Sequence, residues 1–275
     1  MPPRHLMIPG LCRRHLEGGW LPSLREFVPQ QRARLVCSFP ATVPVTETTI
    51  LTGNPPVRHG VLFGDEESRV PGLIEAIHSR LDTLLDAGDP AAALTRLDEE
   101  LRLVLERHPA DQLLLVSGAP PEQDRTRHVD LNTDGLEKTG FELRIDHAFA
   151  LCTSREGSTV LPESLLHRWL DCSGVERVLS PTADSTGAWM APTDRGWLIL
   201  AEPGCSFSGD SRGFGHREPG PGADAVLMAF GPKWDENWPG AVHDWRIAPT
   251  LLNAAGKSFE GCLDRPLPAS EALGS

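Results

Sequence analysis

Thr42 stands in the loop Phe39-Pro40-Ala41-Thr42-Val43-Pro44. A hydroxyl in such a loop can be a nucleophile if a base or cation activates it, or it can be a turn or cap residue. His216 is followed by Arg217 and preceded by Arg212. An imidazole with two guanidiniums nearby can hold an anion, and the same three can be ordinary loop residues. Glu202 follows the apolar run Trp197 to Ala201. Ligands gather at strand ends in open α/β sheets, and a lone glutamate there also reads as a solvated turn residue. Cys12 has His5 and His15 near it in sequence, types that can make a thiolate nucleophile or a metal ligand. The stretch from Gly204 to Gly215 carries Gly204, Gly209, Gly213 and Gly215 with Ser206, Ser208 and Ser211. Its backbone N–H groups could wrap a phosphate, although it has neither a Walker pattern nor a lysine. Trp234, Trp238 and Trp245 read either as an exposed interaction patch or as cover over a sheet edge.

These residues need strands and helices to position them. Leu6-Met7-Ile8 and Leu35-Val36-Cys37 read as buried strands, and Thr46 to Leu51 as a helix running up to Gly53. Apolar residues at 73, 74, 77, 81, 84 and 85 have helical spacing, as do Leu94, Leu97, Leu101, Val104 and Leu105. His108-Pro109 ends the latter helix, and a strand follows at Leu113 to Val116. In the second half, Leu143 to Leu151 reads as a strand with charge on one face. Leu165 to Leu170 is a short helix, and Val175 to Leu179, Trp197 to Ala201 and Ala225 to Phe230 are strands. Ile247 to Ala255 is a closing helix ended by Gly256. Continuous apolar strands between amphipathic helices imply a three-layer α/β/α sandwich with a central, mostly parallel sheet. Residues 1–266 are expected to form one such domain, with 267–275 as a flexible tail.

Composition narrows the class of function. The 275 residues carry 26 Lys+Arg against 38 Asp+Glu, a net charge of −12. So acidic a chain lacks the footprint of a nucleic-acid binder and is repelled by an anionic membrane. There is no tyrosine, so no phenol can act as acid or base. Six widely spaced cysteines without a CxxC argue against a disulfide scaffold or a zinc finger. The N-terminus has no secretory pattern, and no run of about 18 apolar residues occurs. A cytoplasmic protein with reduced thiols is expected.

Several segments in order resemble the alkaline phosphatase superfamily, in particular its type I phosphodiesterase/nucleotide pyrophosphatase branch. They are Ile8-Pro9-Gly10-Leu11, the Phe39-Pro40 loop, Thr52-Gly53 with Pro55-Pro56, and His59-Gly60. Leu97-Asp98, Leu113 to Ala119, Val129 to Asn132 and Gly174 to Val178 follow. Gly215-His216, Phe230-Gly231-Pro232 and Ile247 to Leu252 complete the series. The resemblance implies a phosphatase-like fold and a two-metal clamp that activates a hydroxyl nucleophile. The family's first carboxylate ligand falls at Pro9. Its nucleophile, spaced back from Thr52-Gly53, falls at Val43, one residue after Thr42. The paired Asp-His ligands fall at Gly118 and Ala119, and the segment bearing the middle ligands is shortened to Asp86–Pro90. Only His216 keeps a ligand type.

The resemblance therefore implies the scaffold without the chemistry. The expected protein is a pseudoenzyme without a cofactor. It would bind a phosphate-containing small molecule, a protein partner or a second copy of itself through Glu202, Arg212, His216 and Arg217. The alternative is a metal-dependent phosphoester hydrolase, using zinc or another divalent ion, with ligands relocated among His59, Asp65, Glu202, Asp210 and His216. A third reading is a cysteine enzyme acting through Cys12 or Cys37.

Overall fold

A computed structural model describes residues 3–84, 89–120, 122–124, 127–147, 149–158, 160–180, 196–202, 204–207, 212–214, 224–231 and 238–267. The first half runs β1 (Arg4–Met7), α1 (Arg13–Glu17), α2 (Ser23–Glu26), β2 (Gln31–Val36), α3 (Val43–Thr52), α4 (Pro56–His59), β3 (His78–Arg80), α5 (Pro90–Arg107) and β4 (Leu114–Ser117). Then come β5 (Glu122–Asp124), β6 (Arg127–His128), β7 (Phe141–Ile145), β8 (Phe149–Ser154), α6 (Glu163–Leu170), β9 (Val175–Leu179) and β10 (Trp197–Ala201). The chain closes with β11 (Cys205–Ser206), β12 (Arg212–Phe214), β13 (Val226–Phe230), β14 (Ala241–His243) and α7 (Ile247–Ala254).

Six strands form the main sheet, in the order β14-β2-β13-β4-β1-β3. Alternation along each strand sends side chains to two helical layers. Met7, Leu35, Leu115 and Leu227 pack on the side of α3 and α7. Leu6, Ile8, Leu114, Val116 and Met228 pack under α5. The expected α/β/α layering is present, and the sheet is mostly parallel: β1, β2, β3, β4 and β14 run the same way, and β13 is antiparallel to both of its neighbours.

α5 is the element its sequence specifies most fully. Asp89 caps it by accepting from the backbone N–H of Ala91 and Ala92, Pro90 opens it, and Leu94, Leu97, Leu101 and Leu105 form its buried stripe. α3 ends where Gly53 takes φ +65°, a left-handed conformation that a side chain would strain.

Two expected elements are different. Residues 72–84 do not form a helix, and Leu85 lies outside the described residues. They make a single tight turn, Glu75–Ile77, and then β3, which pairs with His5–Met7. Of that apolar set the turn buries Ile74 fully, and the ladder to β1 takes the backbone groups that a helix would have used. The single strand expected over 143–151 is a hairpin of β7 and β8. Asp146 turns the chain, its N–H donating to the carbonyl of Phe149. That hairpin belongs to a second, antiparallel sheet, β7-β8-β10-β9, which also contains the Trp197–Ala201 strand expected in the main sheet. A seam joins the two sheets, with Phe39, Val45, Leu62 and Phe63 packed against Phe149, Leu151, Leu198 and Leu200.

Leu267, expected in the tail, is buried, and its N–H donates to Thr250 Oγ1 at 2.9 Å. Residues 268–275 lie outside the described residues. No helix is long and apolar enough to cross a membrane among the residues described.

The stripe of α5 sets a test of the core. Leu97→Ala should cost about 2–5 kcal/mol, read as a lower urea midpoint. Leu103→Ala, on the exposed face of the same helix, should stay within about 0.5 kcal/mol of the parent.

Candidate functional site at the strand ends

β1 and β4 run parallel and end side by side, Met7 opposite Ser117. The residues after them are closed together by backbone hydrogen bonds. Ile8 N–H donates to Ser117 O at 2.8 Å, Gly10 N–H to Pro120 O at 2.9 Å, and Gly118 N–H to Val226 O at 2.7 Å. Pro9 and Ala119 are buried and have no donor atom in their side chains. A Cβ placed on Gly118 would lie 1.9 Å from the carbonyl oxygen of Leu11. The space that a side chain at 118 needs is therefore filled by backbone.

Thr42 is the residue immediately before α3, and its carbonyl accepts the helix's first bond from Thr46 N–H at 2.9 Å. Its hydroxyl is buried and has no hydrogen-bond partner among the described residues. Val43 is the first residue of α3 and packs against the core instead of facing a site. The preceding loop is held by Asp244, whose carboxylate accepts from Ser38 N at 2.7 Å, Ser38 Oγ at 2.8 Å and Trp245 N at 3.0 Å. Burial nevertheless pushes Asp244 up to about 7, because desolvation outweighs the three donors.

Sequence reasoning missed a polar chain on the α3 side of the same strands. Ser117 Oγ lies 2.8 Å from His5 Nε2, His5 Nδ1 lies 2.8 Å from His78 Nδ1, and His78 Nε2 lies 3.1 Å from Glu47 Oε1. Glu47 also pairs with Arg80. One neutral tautomer set satisfies every link: Ser117 O–H donates to His5, His5 Nδ1–H to His78, and His78 Nε2–H to Glu47. His5 therefore does not join Cys12 and His15. Burial, and then the neighbouring His78, hold its pKa well below the ordinary imidazole range.

Cys12 and His15 do meet, with Sγ 3.4 Å from Nδ1. Both are buried, and that burial sets their state. Desolvation raises the Cys12 thiol and lowers His15 to about 4, so the pair is neutral thiol and neutral imidazole. Cys37 is pushed far up by burial and by Asp244. Neither cysteine has the depressed pKa that a thiolate enzyme uses.

The remaining candidates are scattered. His59 is buried at the end of α4. Its Nδ1 accepts from Val61 N–H at 3.1 Å, and its Nε2–H donates to Thr49 Oγ1 at 3.0 Å. Asp65 is an exposed partner of Arg144. Glu202 is exposed beyond β10, so it belongs to the second sheet and not to the ends of β1 and β4. Arg212 lies in β12, paired with β5. His216, Arg217, Asp210 and Trp234 lie outside the described residues, as do 208–211 and 215 of the Gly204–Gly215 loop. Trp238 and Trp245 are buried, and Trp245 stacks on His243 at 4.1 Å, so these two cover the sheet and do not form an exposed patch. Among the described residues, no three His, Cys, Asp or Glu side chains converge so as to hold a metal ion.

No family model matches the sequence, and no curated protein does. Solved structures do match. Murine ectonucleotide pyrophosphatase/phosphodiesterase 5 superposes with a TM-score of 0.69 at 12% identity, over 97% of each chain. Phosphonoacetate hydrolase from Sinorhizobium meliloti, in complex with phosphonoformate, gives 0.68 at 11% identity, over 93% of this chain and 96% of that one. Human ectonucleotide pyrophosphatase/phosphodiesterase 5 gives 0.68 at 11%, over 94% and 96%. The chain has the alkaline phosphatase-like fold.

The buried imidazoles make acid sensitivity measurable. His15 and His59 are each lowered to about 4 by desolvation, so the unfolded chain binds their protons first as pH falls through about 6.5. Their stabilisation is present at neutral pH and lost in acid, about 2 kcal/mol for each at pH 5. His5 acts in the same direction. Asp244, raised to about 7, gains a proton on folding and acts in the opposite sense, offsetting about one histidine. Urea unfolding should thus show stability falling between about pH 6.5 and 5, and His15→Gln should make that fall shallower.

Proposed function

We propose that this chain is a non-catalytic member of the alkaline phosphatase superfamily, a pseudoenzyme that acts by binding a ligand or partner. The observation that supports this is Gly118. The family's ligand at this position needs a side chain, and here the Leu11 carbonyl lies 1.9 Å from where the first atom of one would go. Restoring the residue type would not restore the site, because the strand ends have closed onto the vacated volume. Pro9 and Ala119 beside it provide nothing that could hold a cation.

A metal titration tests the reading. Untagged protein should carry well under one equivalent of zinc, manganese or iron, and added zinc should leave its melting midpoint unchanged. Two equivalents by elemental analysis would falsify the proposal. Gly118→Ala should destabilise by about 3 kcal/mol or more, since backbone on both sides has to move. The combination of Pro9→Asp, Val43→Thr, Gly118→Asp and Ala119→His should be less stable still, and no more than a trace catalyst of aryl phosphodiester hydrolysis.

One observation favours the alternative, a metal-dependent phosphoester hydrolase. The Thr42 hydroxyl at the start of α3 is buried without a partner among the described residues, as an unengaged nucleophile would be. Thr42→Val separates the two readings. On the first, removing an unsatisfied buried hydroxyl is neutral or stabilising by up to about 1 kcal/mol, with no activity to lose. On the second, wild-type protein hydrolyses the diester when given zinc or manganese, and the variant does not.

A further inference from the structure

β2 breaks a pattern that its neighbours keep. Ala33 and Leu35 point into the core beneath α3 and α7. Arg32 and Arg34 point to the opposite face, directly across from Met228 and Val226 of β13, which are buried on the α5 side. The apolar face thus stops at β13, although β2 is an interior strand with β14 beyond it. Both arginines are exposed. Two residues apart on one face, their stems lie about 7 Å from each other, and like charges so placed repel.

Above them is a groove of about 400 Å³ between this strand and α1. Arg13 of α1 faces into it and is held by Glu17 at 2.6 Å. Arg32 makes no ion pair among the described residues. Asp224 and Glu17 are the acids of the lining, so three guanidiniums face two carboxylates. Leu16 and Val226 add apolar wall. A guanidinium fork matches the oxygens of a phosphate, and a pair of them spans one phosphate group. We propose that this groove binds a small organic phosphate, with its phosphate on Arg32 and Arg34 and its organic part against Leu16 and Val226. The volume is at the lower end of small-molecule pockets and admits nothing much larger than a sugar phosphate or a mononucleotide. The site lies on the α1 side of the sheet, and it stands whether or not the strand ends bind metal.

Calorimetric titration of the full chain with ribose 5-phosphate, inorganic phosphate and ribose, at about 0.15 M salt, tests this. Ribose 5-phosphate should bind saturably and more tightly than inorganic phosphate, and ribose should not bind. The double variant Arg32→Gln/Arg34→Gln should weaken ribose 5-phosphate by about tenfold or more. Its ligand-free melting midpoint should stay within a few degrees of the parent's, because both side chains are exposed. Glu17→Gln, which releases Arg13 toward the groove, should tighten binding by about two- to threefold. The proposal fails if the double variant binds as the parent does, if inorganic phosphate binds as tightly as the ester, or if neither phosphate saturates below about 10 mM.

Discussion

The contact on which the strand-end region depends is between the carbonyl oxygen of Leu11 and the bare α-carbon of Gly118. In an open α/β sheet the carboxyl ends of adjacent parallel strands diverge and leave a crevice. Here the turn after β1 folds down on the turn after β4, and Gly10 N–H and Pro120 O fasten the two at 2.9 Å. That closure needs a glycine at 118, since a single methyl group there would meet backbone. It also accounts for Pro9 and Ala119 being buried without polar partners, since neither asks for one.

Polar groups near this closed end are occupied in holding elements together. Asp244 gathers three donors and so fixes the Ser38–Pro40 segment against the start of α7. The His5–His78 bond ties the edge strand β3 to β1, and Glu47 extends that tie to α3. His59 joins α4 to α3 through Thr49. Residue types that would serve catalysis elsewhere serve as cross-braces here. Burial keeps His5 and His59 as neutral imidazoles and raises Asp244 toward neutrality. Thr42 is an exception among them, a buried hydroxyl with nothing to hold among the described residues.

How much of this could be read from the chain depended on whether a feature was local. α5 was legible because its cap, its first-turn proline and its leucine stripe all lie within 18 residues. β9 and β10 matched their apolar runs residue for residue. The 72–84 segment is not legible locally, because helical spacing cannot register the pull of β1, more than 60 residues away, on His78. The β7–β8 hairpin was missed because Asp146-His147 is not a turn pair that announces itself. At the strand ends, the absence of donor side chains at 9, 118 and 119 is plain in the sequence. That backbone fills the space beside Gly118 is not, since it rests on a contact between residues 11 and 118. The partners of His5 were hidden for the same reason, as each comes from a different strand or helix.

The arginines of β2 belong to a wider asymmetry. The first 36 residues hold six arginines and two glutamates, a charge of +4, which leaves −16 for the other 239. Of these arginines, Arg13, Arg32 and Arg34 stand together beside one groove. An anion approaching so acidic a chain is repelled by its net charge and attracted locally by such a cluster. Its arrival would therefore be oriented, and its rate of capture would fall steeply as salt shortens the reach of that field to about 8 Å.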